Sequence, residues 1–355
     1  MKKYELVEKY IKDKISIGVY LVGHRIPSED ELIEKLQMSR NPIRRALENL
    51  TKEGCIYKIQ GSGSYVKDLT IPEPVDIYAI LPSESVNLET RIIQGMRAAL
   101  EDSSYKNIHL ILKKPGKDTY EQIEVLNMIL KHRKSGIIFI PLVPSDRTTS
   151  RLLAANIRKI ERQGIPIIQI DNYIPEYNGS CIMTDHQKSA ADMMNLLYEN
   201  GHKKIALLYR NTNKPSVKLR IKGVKQWYEA AGIPVTNLIR CNIDEQPIDE
   251  AFVSSLFSSG VTAVFGFECE LVRDLYLMLE QLGYEVPGDI SLCSFDDHCF
   301  AGLRNGFITA VVQRCDTIGY YAVQLLLDML EGKTEGNLEM KIASDIKKRK
   351  SVGKI

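Results

Sequence analysis

The chain has 355 residues, of which 44% are hydrophobic and 26% are charged, a composition that fits a water-soluble protein of two or three domains. The formal net charge of +2 is too small to indicate a polyanionic partner by itself, so any basic surface must be local. The charged amino terminus has no apolar signal-peptide core, and no apolar run is long enough to span a bilayer. The 7 cysteines are scattered without a CxxC pair, which argues against disulfides and zinc sites and favours a cytoplasmic location.

Three helices are predicted in the first part of the chain. Apolar residues at helical spacing indicate a first helix that ends near Gly18. Ser28 opens an S-x-x-E capping box ahead of a short second helix. Ser39 is predicted to cap the third helix, and Gly54 to mark its end. The buried stripe of this third helix is expected at Ile43, Ala46, Leu47 and Leu50.

Two short strands, Cys55–Ile59 and Ser64–Lys67, are predicted next and are joined by a glycine-containing loop. Helix, turn, arginine-bearing helix and hairpin together predict a winged helix-turn-helix. The third helix would enter the major groove, where arginine pairs with guanine, and the loop glycines would let the wing approach the phosphates. The alternative is that the arginines form an ordinary solvated face. The predicted DNA-binding residues are Ser28, Arg40, Asn41, Arg44, Arg45, Gln60, Gly61 and Gly63.

A domain boundary is predicted after this segment. Pro72 and Pro74 stiffen an extended path and remove backbone donors, which indicates a linker at residues 69–75. The DNA-binding domain is therefore expected at residues 1–68, and a larger ligand-binding and dimerisation domain at residues 76–355.

In the larger domain, short apolar strands alternate with amphipathic helices. Strands are predicted at Ile77–Leu81, Ile108–Leu112, Gly136–Ile140, Ile167–Ile170, Ile205–Tyr209, Ala263–Phe265 and Ile290–Ser294. Helices are predicted at Arg91–Leu100, Tyr120–Leu130, Ser150–Arg162, Lys188–Glu199, Ile221–Ala231 and Leu271–Leu282. This alternation predicts an α/β fold of doubly wound parallel sheets, and its length indicates two lobes. Ligands in such folds bind at the carboxyl ends of the strands, so we expect a cleft between the lobes.

Three segments of the small domain carry a family resemblance: GHRIPSE at residues 23–29, MSRNPIRRAL at 38–47 and QGSGSYV at 60–66. Together they resemble the GntR winged-helix family over nearly all of residues 4–66. The resemblance implies DNA contacts for the positions that match the family's motifs, namely Arg40, Arg44, Gln60, Gly61 and Gly63. Some members have an arginine where this chain has Asp30, and an acidic residue does not fit that contact.

The larger domain is similar to the LacI/GalR sugar-sensing domain from Ile77 to about Ser351. The similarity rests on segments in the family's order, among them RIKG at residues 220–223, FDD at 295–297 and ITAVVQ at 308–313. It implies an effector clamp of Arg220 and Asp296, whose guanidinium and carboxylate suit vicinal hydroxyls; a structural ion pair is the alternative. Further pocket candidates at strand ends are Ser83, Glu84, Asp171 and Glu268, the last replacing an asparagine common in the family.

A GntR head on a LacI-like body is similar to the arabinose-repressor type of regulator. This implies a homodimer that binds double-stranded operator DNA and represses carbohydrate-use genes until a small sugar, a pentose in particular, releases it. A non-sugar effector, an activator, a receptor without DNA function and an enzyme with a regulatory head remain alternatives. We find no phosphate-loop, HExxH or GxSxG motif and predict no catalytic residues, cofactor or metal. The 6 histidines show no ligand spacing and are expected on the surface or at helix caps, whereas Trp227 is expected in the core.

Overall fold

The computed structural model describes residues 2–67, 74–82, 86–103, 107–116, 118–129, 135–210, 213–300, 306–334 and 336–355. The chain divides into two compact units, here called the head (Met1–Pro74) and the body (Val75–Ile355). Most of the predicted linker lies outside the described residues, as do the predicted site residues Ser83 and Glu84. Within the described part, no helix is both long and apolar enough to cross a bilayer.

The head contains three helices and a two-stranded antiparallel hairpin. They are α1 (Lys3–Ser16), α2 (Glu29–Leu36), α3 (Arg40–Lys52), β1 (Ile56–Ile59) and β2 (Gly63–Val66). The predicted capping box is present, since the Ser28 hydroxyl accepts from the Glu31 amide at 3.3 Å and the Glu31 carboxylate accepts from the Ser28 amide at 2.6 Å. The stripe predicted for α3 is buried against α1 and α2.

The two ends of α3 differ in how they are capped. Ser39 occupies the N-cap position as predicted, but its hydroxyl makes no capping hydrogen bond, so this part of the prediction was wrong. Gly54 follows the last turn with φ of +76°, a left-handed conformation that glycine adopts without steric cost. It turns the chain from α3 into β1.

The body has two lobes, each built on a six-stranded sheet with helices on both faces. The first lobe contains the sheet β13-β7-β6-β5-β3-β4, with β3 (Val75–Ile80), β4 (Ile108–Lys113), β5 (Ser135–Phe139), β6 (Ile167–Ile170), β7 (Cys181–Thr184) and β13 (Glu339–Ile342). Its helices are α4 (Val86–Asp102), α5 (Thr119–Ile129), α6 (Arg147–Glu161) and α11 (Cys315–Leu330). Every pairing in this sheet is parallel.

The second lobe contains the sheet β14-β12-β11-β10-β8-β9, in which only the β12–β14 pairing is antiparallel. Its strands are β8 (Ile205–Tyr209), β9 (Leu238–Asn242), β10 (Ala263–Gly266), β11 (Ser291–Phe295), β12 (Thr309–Val312) and β14 (Asp345–Lys347). Its helices are α7 (His186–Glu199), α8 (Pro215–Ala230), α9 (Glu250–Ser258) and α10 (Cys269–Gln281), with 3-10 turns at Val235–Asn237 and His298–Phe300. The predicted doubly wound, two-lobed α/β fold is confirmed.

The chain crosses between the lobes three times, after β7, β12 and β13. The Asp185 amide donates to the Ile342 carbonyl at 2.9 Å, which joins the first crossing to the third. Arg314 and Asp345 form a bidentate ion pair at 2.8 and 2.9 Å, which joins the second crossing to the third. The three crossings therefore form one hydrogen-bonded hinge.

Two glycines set the packing of α4 against α11 in the first lobe. A Cβ on Gly95 would lie 1.8 Å from the Asp316 carbonyl oxygen, and a Cβ on Gly319 would lie 2.1 Å from the Ile92 carbonyl oxygen. Only glycine allows the two backbones to approach so closely. The carboxyl-terminal helix α11 is thereby fixed in the first lobe immediately after the hinge.

Candidate functional site

A cleft between the lobes is lined by the carboxyl ends of strands from both sheets. It contains a cavity of about 330 Å³ and an adjoining one of about 470 Å³. Both are lined by Asp171, Asn172 and Lys214, so together they form a continuous groove. This volume suits a small metabolite, and polar side chains of both signs lie along it.

Arg220 of α8 is the fixed cation of this cleft. Its side chain is buried, its Nε donates to His186 Nδ1 at 3.3 Å, and a terminal nitrogen donates to the Phe267 carbonyl at 2.5 Å. The guanidinium carbon lies 3.5 Å from the centroid of the Phe295 ring. A guanidinium has five N–H donors, and among the described residues two of them have acceptors, so up to three can serve a ligand.

Two aspartates face Arg220 from equivalent positions in the two lobes. Asp171 follows β6 and Asp296 follows β11, and both adopt left-handed backbone conformations, with φ of +66° and +68°. This conformation is uncommon outside glycine, although aspartate adopts it more readily than most residues. Burial raises the pKa of both carboxyls, and the Arg220 guanidinium partly opposes that rise. Arg220 therefore interacts electrostatically with two carboxyls, and all three groups line one cavity.

Polar bridges connect these groups to the opposite lobe. Gln313, at the second crossing, donates to both Asp296 oxygens at 3.0 and 3.1 Å and accepts from Thr184 of the first lobe at 2.6 Å. The Asn172 side-chain oxygen accepts from the Ser216 amide of the second lobe at 3.1 Å. Hydrogen bonds thus join the two lobes beside both carboxyls.

His186 links the Arg220 side chain to the backbone of Asp171. Burial, reinforced by the nearby Arg220 charge, holds the pKa of its imidazole well below the usual range, so the ring is neutral. Since Nδ1 accepts from Arg220, Nε2 carries the proton and donates to the Asp171 carbonyl at 3.4 Å. The expectation that every histidine is a surface or capping residue was wrong for His186, and also for the buried His202. Both rings are enclosed because each has hydrogen-bond partners in the interior.

Glu268 lies at the rim of the same cavity, immediately before α10. Its carboxylate is 4.0 Å from Arg210, and burial raises its pKa. The structure thus brings four of the predicted effector residues to one cavity: Asp171, Arg220, Glu268 and Asp296.

Several residues of the cleft were not singled out in the sequence. Arg210 and Asn172 follow predicted strands directly, so the rule that selected Asp171 applies to them as well. Gln313 stands at the end of a quoted motif, but its contact with Asp296 depends on the fold. His186 follows β7, a strand that the sequence did not reveal.

In the head, the predicted DNA-binding side chains lie on α3 and at the tip of the hairpin. Arg40 pairs with Asp30 of α2, and Arg44 pairs with Glu48 at 3.3 Å; all four side chains are largely exposed. Asp30, which departs from the family pattern, therefore neutralises an arginine of the candidate DNA surface. Exposed ion pairs of this kind are weak, so a phosphate or a guanine can displace the carboxylates.

Arg45 is arranged differently, because its guanidinium carbon lies 4.3 Å from the centroid of the Tyr4 ring in α1. Asn41 is exposed in the first turn of α3. The Ser28 hydroxyl serves the capping box described above. Of the predicted residues, Arg40 and Arg44 are one helical turn apart and thus share a face of α3.

The hairpin tip is formed by exposed Gln60 and by two glycines in left-handed conformations, Gly61 at φ +76° and Gly63 at φ +130°. A Cβ on Gly63 would lie 2.7 Å from Arg25 Nε, so Arg25 packs across the wing. Tyr57 and Tyr65 stack across the hairpin with centroids 5.6 Å apart. The result is a stiff wing with an arginine on one side.

Comparison with known proteins gives separate matches for the head and for the body. Residues 3–66 match the bacterial regulatory proteins of the gntR family, and residues 194–352 match a periplasmic binding protein-like domain. An arabinose metabolism transcriptional repressor of Geobacillus stearothermophilus is 26% identical over 344 residues, which cover 94% of this chain and 93% of the relative. A protein of the same name from Halalkalibacterium halodurans is 25% identical over 347 residues, which cover 93% of this chain and 89% of the relative.

Among solved structures, a LacI family transcriptional regulator of Enterococcus faecium with bound ribose matches with a TM-score of 0.63 at 23% identity. The match covers 79% of this chain and 99% of that one. The chain therefore joins a GntR-type winged helix-turn-helix head to a periplasmic-binding-protein-like body with the fold of LacI-family regulators, the architecture of a DNA-binding transcription regulator.

Proposed function

We propose that this protein is a dimeric repressor of carbohydrate-use genes that leaves its operator when a small sugar, a pentose in particular, binds in the cleft. The observation that carries the proposal is the Arg220 guanidinium, which lines one cavity with Asp171 and Asp296 and has two of its five N–H groups bonded to described residues. Such a set can donate to and accept from neighbouring hydroxyls at once, which is the pattern a sugar presents. The relatives named as arabinose metabolism repressors support the pentose as effector.

The coupling would act through the hinge. A ligand that engages Asp296 from the second lobe and Asp171 from the first favours the closed cleft, because only closure satisfies both sets of hydrogen bonds. In a dimer of bodies, closure changes the separation of the two heads, whereas operator half-sites lie a fixed number of helical turns apart. Sugar and DNA would then weaken each other's binding equally.

The test uses the purified full-length protein. Genomic fragments retained by the protein define an operator, and fluorescence anisotropy of the labelled operator is followed while pentoses and hexoses are added singly. We expect one pentose to raise the operator Kd about 5- to 150-fold, the usual size of such coupling. Retention of no fragment would refute a DNA-binding repressor, and an unchanged Kd with every sugar would refute sugar release.

A further inference from the structure

Four side chains that commonly bind metals meet in the second lobe. Cys269 and Glu270 begin α10, and His298 and Cys299 lie in the 3-10 turn that follows β11. Their potential ligand atoms all lie within 4.8 Å of one another. Because the two pairs are almost 30 residues apart in the chain, the spacing of cysteines and histidines gave no sign of this group.

The individual distances link all four residues. Cys269 Sγ is 2.6 Å from Cys299 Sγ, 3.5 Å from the His298 ring nitrogens and 3.6 Å from a Glu270 oxygen. The other Glu270 oxygen is 3.3 Å from His298 Nε2. Tetrahedral zinc with bonds of about 2.0–2.3 Å separates its ligands by about 3.3–3.8 Å. The separations among Cys269, Glu270 and His298 match this range, and the two sulfur atoms would move apart by about 1 Å to hold the ion.

The donor types select among cations. Two thiolates and an imidazole are soft or borderline ligands, which zinc and its neighbours in the first transition row prefer, whereas magnesium and calcium prefer oxygen alone. Cys269 is buried and the other three residues are half-buried, so the group is largely shielded but reachable from solvent. Cys269, Glu270 and His298 also line the effector cavity, which provides an entry path.

We propose that Cys269, Glu270, His298 and Cys299 bind one thiophilic divalent cation, Zn²⁺ in the first instance, in the wall of the effector cleft. The cation would tie the start of α10 to the turn that follows Asp296 and Asp297. It would thereby fix Glu268 and Asp296, which flank the four ligands in the chain, in their positions on the cleft. The site is independent of the identity of the effector and of the DNA-binding role.

The test begins with full-length protein that has been reduced and stripped of metal with a chelator. Zn²⁺ is then titrated in competition with a chromophoric chelator, and Co²⁺ is added separately as a spectroscopic probe. We expect one equivalent of either ion per chain, with a thiolate-to-cobalt charge-transfer band and the visible absorption of tetrahedral Co²⁺. A protein that takes up no stoichiometric metal, or Co²⁺ without the thiolate band, would overturn the proposal.

Variants locate the site. Cys299→Ser should lower Zn²⁺ affinity by more than about 100-fold, beyond the 10- to 100-fold typical of lost outer-shell contacts, and should weaken the charge-transfer band. His298→Asn should lower affinity while keeping that band, which covers the case in which the serine variant fails to fold. Cys55→Ser, in the head, is the matched control and should bind metal like the unmodified chain. Equal affinity in all three variants would refute the assignment, as would reduced protein that binds no metal although its air-oxidised form contains a Cys269–Cys299 disulfide.

Discussion

Replacing Arg220 with methionine removes the cation of the cleft and retains most of the side-chain length. Two of its five N–H donors are used by His186 and Phe267, so up to three face the cleft. A hydrogen bond to a charged group contributes about 1.5–3 kcal/mol, so the loss of two such bonds to a sugar corresponds to about 3–6 kcal/mol. At about 1.36 kcal/mol per decade, the affinity for the sugar should fall about 150- to 25,000-fold.

The head does not depend on this residue, so Arg220→Met should still bind the operator without sugar and should no longer be released by it. Isothermal titration calorimetry measures the sugar affinity, and operator anisotropy measures the release. Lys222→Met is the matched control, because it removes an exposed cation from the same helix outside the cleft. Unchanged sugar affinity in Arg220→Met, or an equal loss in Lys222→Met, would refute the clamp.

Three further predictions concern the head, the histidine and the helix packing. Arg44→Ala should weaken specific operator binding by about 1–3 kcal/mol without loss of folding, measured by anisotropy against nonspecific DNA. The folded-state pKa of His186 is lowered, so the unfolded chain binds more protons below pH 6.5 and stability should fall as the pH drops below that value. His186→Gln should remove this pH dependence of the unfolding free energy, which is at most about 1.4 kcal/mol per pH unit. Denaturant unfolding at pH 7.5, 6.5 and 5.5 measures it. Gly95→Ala should force α4 away from α11 and destabilise the body by about 1–3 kcal/mol in thermal unfolding.

Each of these has a control. Lys9→Ala removes an exposed cation from α1 and should leave specific operator recognition intact, so an equal effect would contradict the role of Arg44. A pH slope that is the same with and without His186 would show that another group sets it. Gln94→Ala changes an exposed neighbour on α4 and should be close to neutral, which separates close backbone packing from helix propensity.

The sequence predicted the fold well where local patterns decide it. Capping residues and short apolar segments predicted α2, α3 and seven strands of the body, because these signals depend on near neighbours in the chain. β7, β12, β13 and β14 were missed, since β7 pairs with β13 and β12 with β14 from distant parts of the chain. β9 was missed because its sequence LIRCN mixes polar and apolar residues along an edge strand.

The site was predictable to the extent that strand ends can be located. Asp171, Glu268 and Asp296 follow strands found in the sequence, and the structure places them on one cavity. Contacts between the two lobes could not be predicted from the sequence, such as that of Gln313 with Thr184. The contact between Cys269 and Cys299 could not be predicted either. The parallel pairing of β10 with β11 brings together the two segments that follow these strands, and each segment carries one of the cysteines.

The three-strand hinge limits how the body can move. Because the three crossing segments lie side by side, a small bend in each rotates one lobe towards the other. Sliding or twisting of the lobes would instead break the bidentate ion pair between Arg314 and Asp345. Any metabolite that closes the cleft therefore produces a rotation about the same hinge, and only the size of the rotation differs. The walls of the groove can thus change to fit a new compound while the movement of the lobes stays the same.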